Sequence, residues 1–368
     1  MNPRLQKLRK LISEEKLDGV LISSLTNITY VSDFSGFTTE DRDAYLLITK
    51  KKQYIFTHPI YKEVAEKDFK DFILVEMKRS NPFSQAVKHI VEKENINKLG
   101  FEAFDLTVND FEKLTKETNK KTFVPVDLLS KLRIIKDSKE IQKIKAACEL
   151  GDKTFTFIYK KLKTGITEKE LAVEIEYFIK RNGADISFDP IVAFGPNASQ
   201  PHHIPDHTKL KKNNFVLFDF GTKLNNYCSD MTRTVFFGKA TKEQSELYHA
   251  VLHAQQASVD YLKIELKNKR IVQASTIDQV GRDYLTSLGV SPFNHSSHGI
   301  GLNVHESPRL YPSSNDTMTN GMVFSIEPGT YEPGKYGIRI EDIFAIENEK
   351  LLQLTKAPSN FIEIKSTS

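Results

Sequence analysis

The chain has no tryptophan and only two cysteines, Cys148 and Cys228, in 368 residues. Two thiols cannot build a disulfide framework, and they fit a reducing compartment better than an oxidising one. No stretch reaches the roughly 18 apolar residues of a membrane span. The opening segment, Met1 to Arg9, is polar and basic with no apolar run behind it, so no secretory signal is read and the cytoplasm is expected. Charge of one sign is also missing: 52 Lys and Arg against 48 Asp and Glu leave a net charge of +4. Basic residues are dispersed, and runs such as Lys209-Leu210-Lys211-Lys212 are short. That distribution describes a solvated surface, not a nucleic-acid footprint. There is no short-period repeat and no low-complexity segment.

What is present fits two domains. In the first part, Leu5, Leu8, Leu11 and Ile12 mark one helical face, and Gly19 to Ser23 reads as a short buried strand. Ala44–Ile48 and Gln53–Phe56 read as two strands joined by a Lys-rich turn, and α/β signals continue to about Val126. Near Leu132 the pattern changes to a long amphipathic helix with Ile141, Ile144, Ala147 and Leu150 in register. The expected domains are therefore residues 1–132 and 133–368. In the second, Thr167 with Glu170 and Thr241 with Gln244 read as capping boxes, Ser275 with Asp278 resembles another, and Gly183 reads as a helix end. Strand-like runs cover Phe215–Phe220, Tyr227–Phe237, Met322–Ile326 and Tyr336–Ile346. Helices mixed with mostly antiparallel strands predict an α+β architecture.

The chemistry announces itself as acid in the wrong place. Burying an unpaired carboxylate costs several kcal/mol, yet Asp219, Asp230, Glu327 and Glu341 lie in or at the ends of apolar strand runs. The same runs offer only Arg233 and Arg339 in compensation, and divalent cations would supply the rest. Asp219 and Asp230 flank the turn-like Lys223-Leu224-Asn225-Asn226, so a hairpin brings them together. Residues two apart on a strand share a face, so Arg339 and Glu341 point one way and Asp342 the other. His298, in His298-Gly299-Ile300-Gly301, is the natural fifth ligand. Four carboxylates and one imidazole suit manganese, cobalt or iron, with zinc possible. Because carboxylates bridge, such a set can hold two ions roughly 3.5–4 Å apart with a hydroxide between them.

Asp219-Phe220-Gly221, Cys228 to Thr234, His298 to Leu302, His305-Glu306, Glu327-Pro328-Gly329 and Arg339 to Asp342, in this order, resemble the motif series of the pita-bread metallopeptidases. Among these, Xaa-Pro aminopeptidases and prolidases are the most similar. The first domain, with Asn27-Ile28-Thr29-Tyr30-Val31, resembles the creatinase-like N-terminal domain. The resemblance implies an aminopeptidase acting on peptides with proline second, with dipeptide-only prolidase as the alternative and a non-catalytic peptide-binding module as a remote one. It implies Asp219 on one metal, Asp230 and Glu341 bridging, and His298 and Glu327 on the second metal, with Glu327 also moving a proton. His202 would line the cleft, His305 would stabilise the tetrahedral intermediate, and His295, Tyr331 and Arg339 would belong to the proline-specific site. Manganese is the first expectation, and a homodimer is implied by analogy. The chain departs from the family's usual pattern in one place: only Ser296-Ser297 separate His295 from His298, one residue fewer than usual. His203 and His207 read as loop-surface residues, and Cys228 as a small packing residue.

Overall fold

The computed structural model describes residues 2–38, 42–118, 122–293 and 297–365. The chain divides into two compact units, Met1–Arg133 and Ile134–Ser368.

The first unit is an α/β layer. It comprises α1 (Pro3–Glu14), β1 (Gly19–Ile22), α2 (Leu25–Ser32), β2 (Ala44–Thr49), β3 (Gln53–Thr57), α3 (Lys62–Asp68), β4 (Ile73–Glu76), α4 (Phe83–Lys93), β5 (Lys98–Phe101), α5 (Val108–Glu117), β6 (Thr122–Pro125) and α6 (Leu128–Arg133). Its sheet runs β4-β3-β2-β1-β5-β6, antiparallel through β3-β2-β1 and parallel at the remaining pairs. β1 and β2 are buried at every residue, as their unbroken apolar runs require. Just past β5, Glu102 is buried and accepts from the backbone N–H groups of Ser23 and Ser24, 2.8 Å each, and from Asn27 Nδ2 at 2.6 Å.

The second unit opens with α7 (Ser138–Ile158), whose Asp137–Glu140 capping box starts the amphipathic helix and whose Ile141, Ile144, Ala147 and Leu150 are buried. α8 (Glu168–Arg181), β7 (Asp185–Ile186), β8 (Ile191–Phe194), β9 (Asn214–Phe220), β10 (Thr222–Leu224), β11 (Tyr227–Cys228) and β12 (Met231–Phe237) follow. Then come α9 (Lys242–Lys267), α10 (Ala274–Ser287), β13 (Ser297–Gly299), β14 (Glu306–Leu310), β15 (Val323–Ile326), β16 (Gly329–Glu332), β17 (Tyr336–Arg339), β18 (Asp342–Glu347), β19 (Lys350–Gln353) and β20 (Glu363–Ile364). One sheet is ordered β20-β12-β9-β8 and another β14-β13-β15-β18-β19, with β16-β17 a separate ribbon. Apart from the short parallel contact of β12 with β20, these pairs are antiparallel. This is the expected α+β architecture.

The Thr167–Glu170 and Thr241–Gln244 capping boxes both form. The third does not. α10 begins at Ala274, placing Ser275 inside it, because the first free N–H, that of Ala274, is taken by the Asp316 carbonyl at 2.8 Å. Asp278 pairs with Arg282 instead. The runs Tyr227–Phe237 and Tyr336–Ile346 are also not single strands. The first breaks at Ser229-Asp230, where the chain leaves β11, paired with β10, for β12, paired with β9. The second breaks at Ile340-Glu341, between β17, paired with β16, and β18, paired with β15. Both sheet changes fall on an acidic residue.

Candidate metal centre

Asp219 lies on β9 opposite Thr232 of β12, so their side chains share a face of the sheet. Asp230 precedes β12 two residues before Thr232 and comes to the same face. Thr232 Oγ1 donates to Glu341 Oε2 at 2.8 Å and accepts from Arg339 Nε at 2.8 Å. Arg339 and Glu341 therefore converge on one hydroxyl, although β17 ends at Arg339 and Glu341 lies in the break before β18. Asp342 turns away to Arg233, whose Nη2 lies 2.5 Å from its Oδ1. That guanidinium, 1% exposed, also donates to the Glu341 carbonyl at 2.6 Å. It fixes the backbone that carries Glu341 and does not neutralise the cluster. Arg339 supplies charge directly, through Nη2 to Asp219, and Nη1 reaches the Tyr331 hydroxyl.

The second sheet brings His298 on β13 and Glu327 just after β15. Ser325 Oγ ties them together: it accepts from the His298 backbone N–H at 3.0 Å and donates to Glu327 Oε1 at 2.7 Å. The His298 ring sets its Nδ1 3.1 Å from the Gly299 carbonyl. A proton on that nitrogen leaves Nε2 as the available lone pair. Nε2 lies 3.3 Å from Glu327 Oε1 and 3.7 Å from Asp230 Oδ2.

Ligand-capable atoms of Asp219, Asp230 and Glu341 lie within 4.8 Å of one another, and so do those of His298, Glu327 and Glu341. The two groups share Glu341, and every member is buried. Asp230 Oδ1 and Glu341 Oε1 are buried with no hydrogen-bond partner. Leaving such acceptors unpaired costs about 1–3 kcal/mol each. The Asp230 and Glu341 carboxyls are held well above the carboxylate range, first by burial and then by the neighbouring carboxylates, with Arg339 opposing. Burial alone would lower the Arg339 guanidinium; Tyr331 and the carboxylates of Asp219, Glu327 and Glu341 outweigh it, so it stays firmly protonated. Burial pushes the Tyr331 hydroxyl up to about 12. An all-oxygen-and-imidazole cage with two unpaired oxygens fits divalent cations.

These residues wall a cavity of about 450 Å³ that also takes in Phe188, Ile191, His202, Ile204, Val304 and His305. His305 is exposed there, its ring centroid 4.2 Å from that of His298. The strand that follows is held by a buried ion pair, Lys136 Nζ to Glu306 Oε1 at 2.9 Å. His202 is exposed on the cavity wall. Tyr331 packs on Phe293, with ring centroids 4.5 Å apart. His295 lies outside the described residues. A larger groove, about 980 Å³ beside α9, contains none of the candidate metal-binding groups, so size does not locate the chemistry.

His203 corrects the sequence reading. It is 7% exposed, with Nε2 2.7 Å from Glu168 Oε2. A histidine in a proline-flanked loop reads as surface, and its partner lies 35 positions earlier in a helical first turn, where acidic residues are ordinary.

Residues 142–348 match the model of metallopeptidase family M24, and residues 4–135 match the creatinase/prolidase N-terminal domain. A Staphylococcus aureus protein named as an uncharacterized peptidase is 36% identical over 362 residues, spanning 95% of this chain and 98% of its own length. The structure of an Xaa-Pro dipeptidase from Bacillus anthracis superposes with a TM-score of 0.90 at 32% identity, covering 98% of this chain and 99% of the other. That of an X-Pro aminopeptidase from Thermotoga maritima does so with a TM-score of 0.85 at 28% identity, covering 96% and 99%. The pita-bread unit and its creatinase-like companion thus account for the matched length, and the chain belongs to metallopeptidase family M24.

Proposed function

We propose that this enzyme hydrolyses the peptide bond before proline in Xaa-Pro dipeptides, using two divalent cations held by Asp219, Asp230, His298, Glu327 and Glu341. The observation that carries the proposal is the pair of buried, unpartnered oxygens on Asp230 and Glu341, the two residues assigned to bridge. Manganese is the first choice of metal; cobalt, iron and zinc suit the same donors.

When bound, the cations would supply Lewis acidity, lowering the pKa of a bound water and polarising the scissile carbonyl. Glu327 accepts the proton of the attacking water and returns it to the proline nitrogen, which needs one to leave as an amine. Ser325, donating to Glu327 Oε1, keeps that carboxylate aimed. His305 donates to the carbonyl oxygen as it gains charge. His202 meets the peptide from another part of the cavity wall. Arg339 is held by Asp219 and Tyr331, and with Tyr331 it forms the polar end of the proline site.

The dipeptide takes precedence over the longer peptide expected from the sequence because the B. anthracis dipeptidase lies nearer this chain than the T. maritima aminopeptidase, in identity and in superposition. The aminopeptidase remains the second reading, favoured by the latter's 96% coverage of this chain. The test is hydrolysis of Ala-Pro against Ala-Pro-Ala by metal-stripped protein reloaded with manganese, cobalt or zinc. Cleavage of the tripeptide alone would put the aminopeptidase first; cleavage of neither with any metal would end the proline-specific reading.

A further inference from the structure

We propose that Glu168 and His203 are a positioning pair that sets His202 in the cavity; this rests on the reading of His202 as a substrate-facing residue. Glu168 is the first residue of α8 and is 0% exposed. Its Oε1 accepts from the Phe194 backbone N–H at 2.7 Å and from Asn197 Nδ2 at 3.0 Å. Its Oε2 accepts from His203 Nε2 at 2.7 Å and from the Asp206 backbone N–H at 3.3 Å. These four donors span residues 194–206, a stretch whose only regular element after Phe194 is the short 3-10 turn Gly195–Ser199. One buried carboxylate therefore organises the whole loop.

The helix makes that carboxylate tenable. Thr167 and Glu170 cap α8 between themselves, so Glu168 is not consumed by capping, while the helix N-terminus favours its negative charge. The loop returns to the same turn: the Glu168 N–H donates to the Thr208 carbonyl at 3.2 Å and the Lys169 N–H to the Asp206 carbonyl at 3.0 Å. Asp206 Oδ1 accepts from the Thr208 N–H at 2.6 Å, while His203 and the Asp206 N–H meet on Glu168 Oε2, so the three residues are joined through that one oxygen. The His203 N–H also donates to the Gln200 carbonyl at 3.0 Å, closing a turn that has His202 as its third residue. Pulling His203 inward onto Glu168 leaves His202 directed outward on the cavity wall, where it is exposed.

The experiment compares H203Q, H203N and E168Q with the wild type and H202A on Ala-Pro, in manganese-loaded enzyme. Glutamine can place an amide N–H near the imidazole Nε2 position; asparagine falls short of it. H203N is expected to lower kcat/KM about 10- to 100-fold, largely through a raised KM, toward the level of H202A. H203Q is expected to stay close to wild type. Amide hydrogen exchange of residues 195–206 is expected to quicken in H203N, with α9 and the bound metal unchanged. A pair that merely stabilised the fold would reduce the active fraction and leave KM where it was; that result, or H203Q as impaired as H203N, overturns the proposal. If H203N does not fold, E168Q carries the same comparison, because it keeps the side-chain shape while its NH2 group, on whichever side it sits, faces donors where Glu168 offered an acceptor. A wild type that cleaves no Xaa-Pro peptide would sink the functional reading, while the exchange measurement would still decide the pairing.

Discussion

The Glu341 carboxylate belongs to both of the all-buried groups at the candidate centre, accepts from Thr232 through one oxygen, and keeps the other unpartnered in the interior. Without cations it is a burden, because burial and the neighbouring Glu327 and Asp219 carboxylates oppose its charge. Replacing it by glutamine keeps the acceptor for Thr232 and removes that conflict. The E341Q variant stripped of metal should be about 1 kcal/mol more stable than stripped wild type, a rise of roughly 2–4 °C by calorimetry. The same variant should bind less metal by elemental analysis and lose at least about 100-fold in kcat/KM. A second residue-scale effect concerns Glu102. Burial raises its carboxyl to about 7, outweighing the N–H donors of Ser24, Asn27 and Ser23. The folded state thus holds a proton that the unfolded state has released above pH 4.5. The associated stability is present in full below that value, is lost as pH rises toward about 7, and amounts to about 3 kcal/mol. Urea unfolding of the wild type should therefore show declining stability over this window, and E102Q should flatten the profile.

At the scale of elements, the hairpin that brings Asp219 to Asp230 was legible because acidic side chains inside apolar strands need a reason, and metal is a common one. The breaks at Ser229-Asp230 and Ile340-Glu341 were not legible. Apolar alternation runs on through both, and what ends each strand is the choice of a new partner strand, a long-range event with no local mark. Ser275 misled for the opposite reason: its local capping signal was sound, but a distant carbonyl on Asp316 satisfied the helix start one residue earlier. His203 was missed because the carboxylate that buries it is far away in the sequence. The glycines of the His298 motif have a packing role that the motif alone does not reveal. A Cβ on Gly299 would stand 2.2 Å from the Ser307 carbonyl oxygen, a backbone atom that cannot rotate aside. G299A should cost at least about 2 kcal/mol and displace the neighbouring His298, read as a lowered denaturation midpoint together with weaker metal retention.

For the whole molecule, no helix among the described residues is long and apolar enough to cross a membrane. We expect a homodimer, and light scattering at micromolar concentration should return about twice the chain mass of 42.0 kDa; a 42.0 kDa particle would contradict it. The sheet changes at Asp230 and Glu341 have a mechanical consequence. Asp219 and Asp230 hang from one sheet, His298 and Glu327 from another, and Glu341 from the crossing between ribbon and sheet. Cations seated among them would act as rivets, so that loading and global cohesion would become one property. With two sites, each tenfold rise in free manganese above both dissociation constants should then add about 2.7 kcal/mol to the unfolding free energy, half of it from each ion. A chelator would loosen the seam between the sheets before it disturbs either sheet from within.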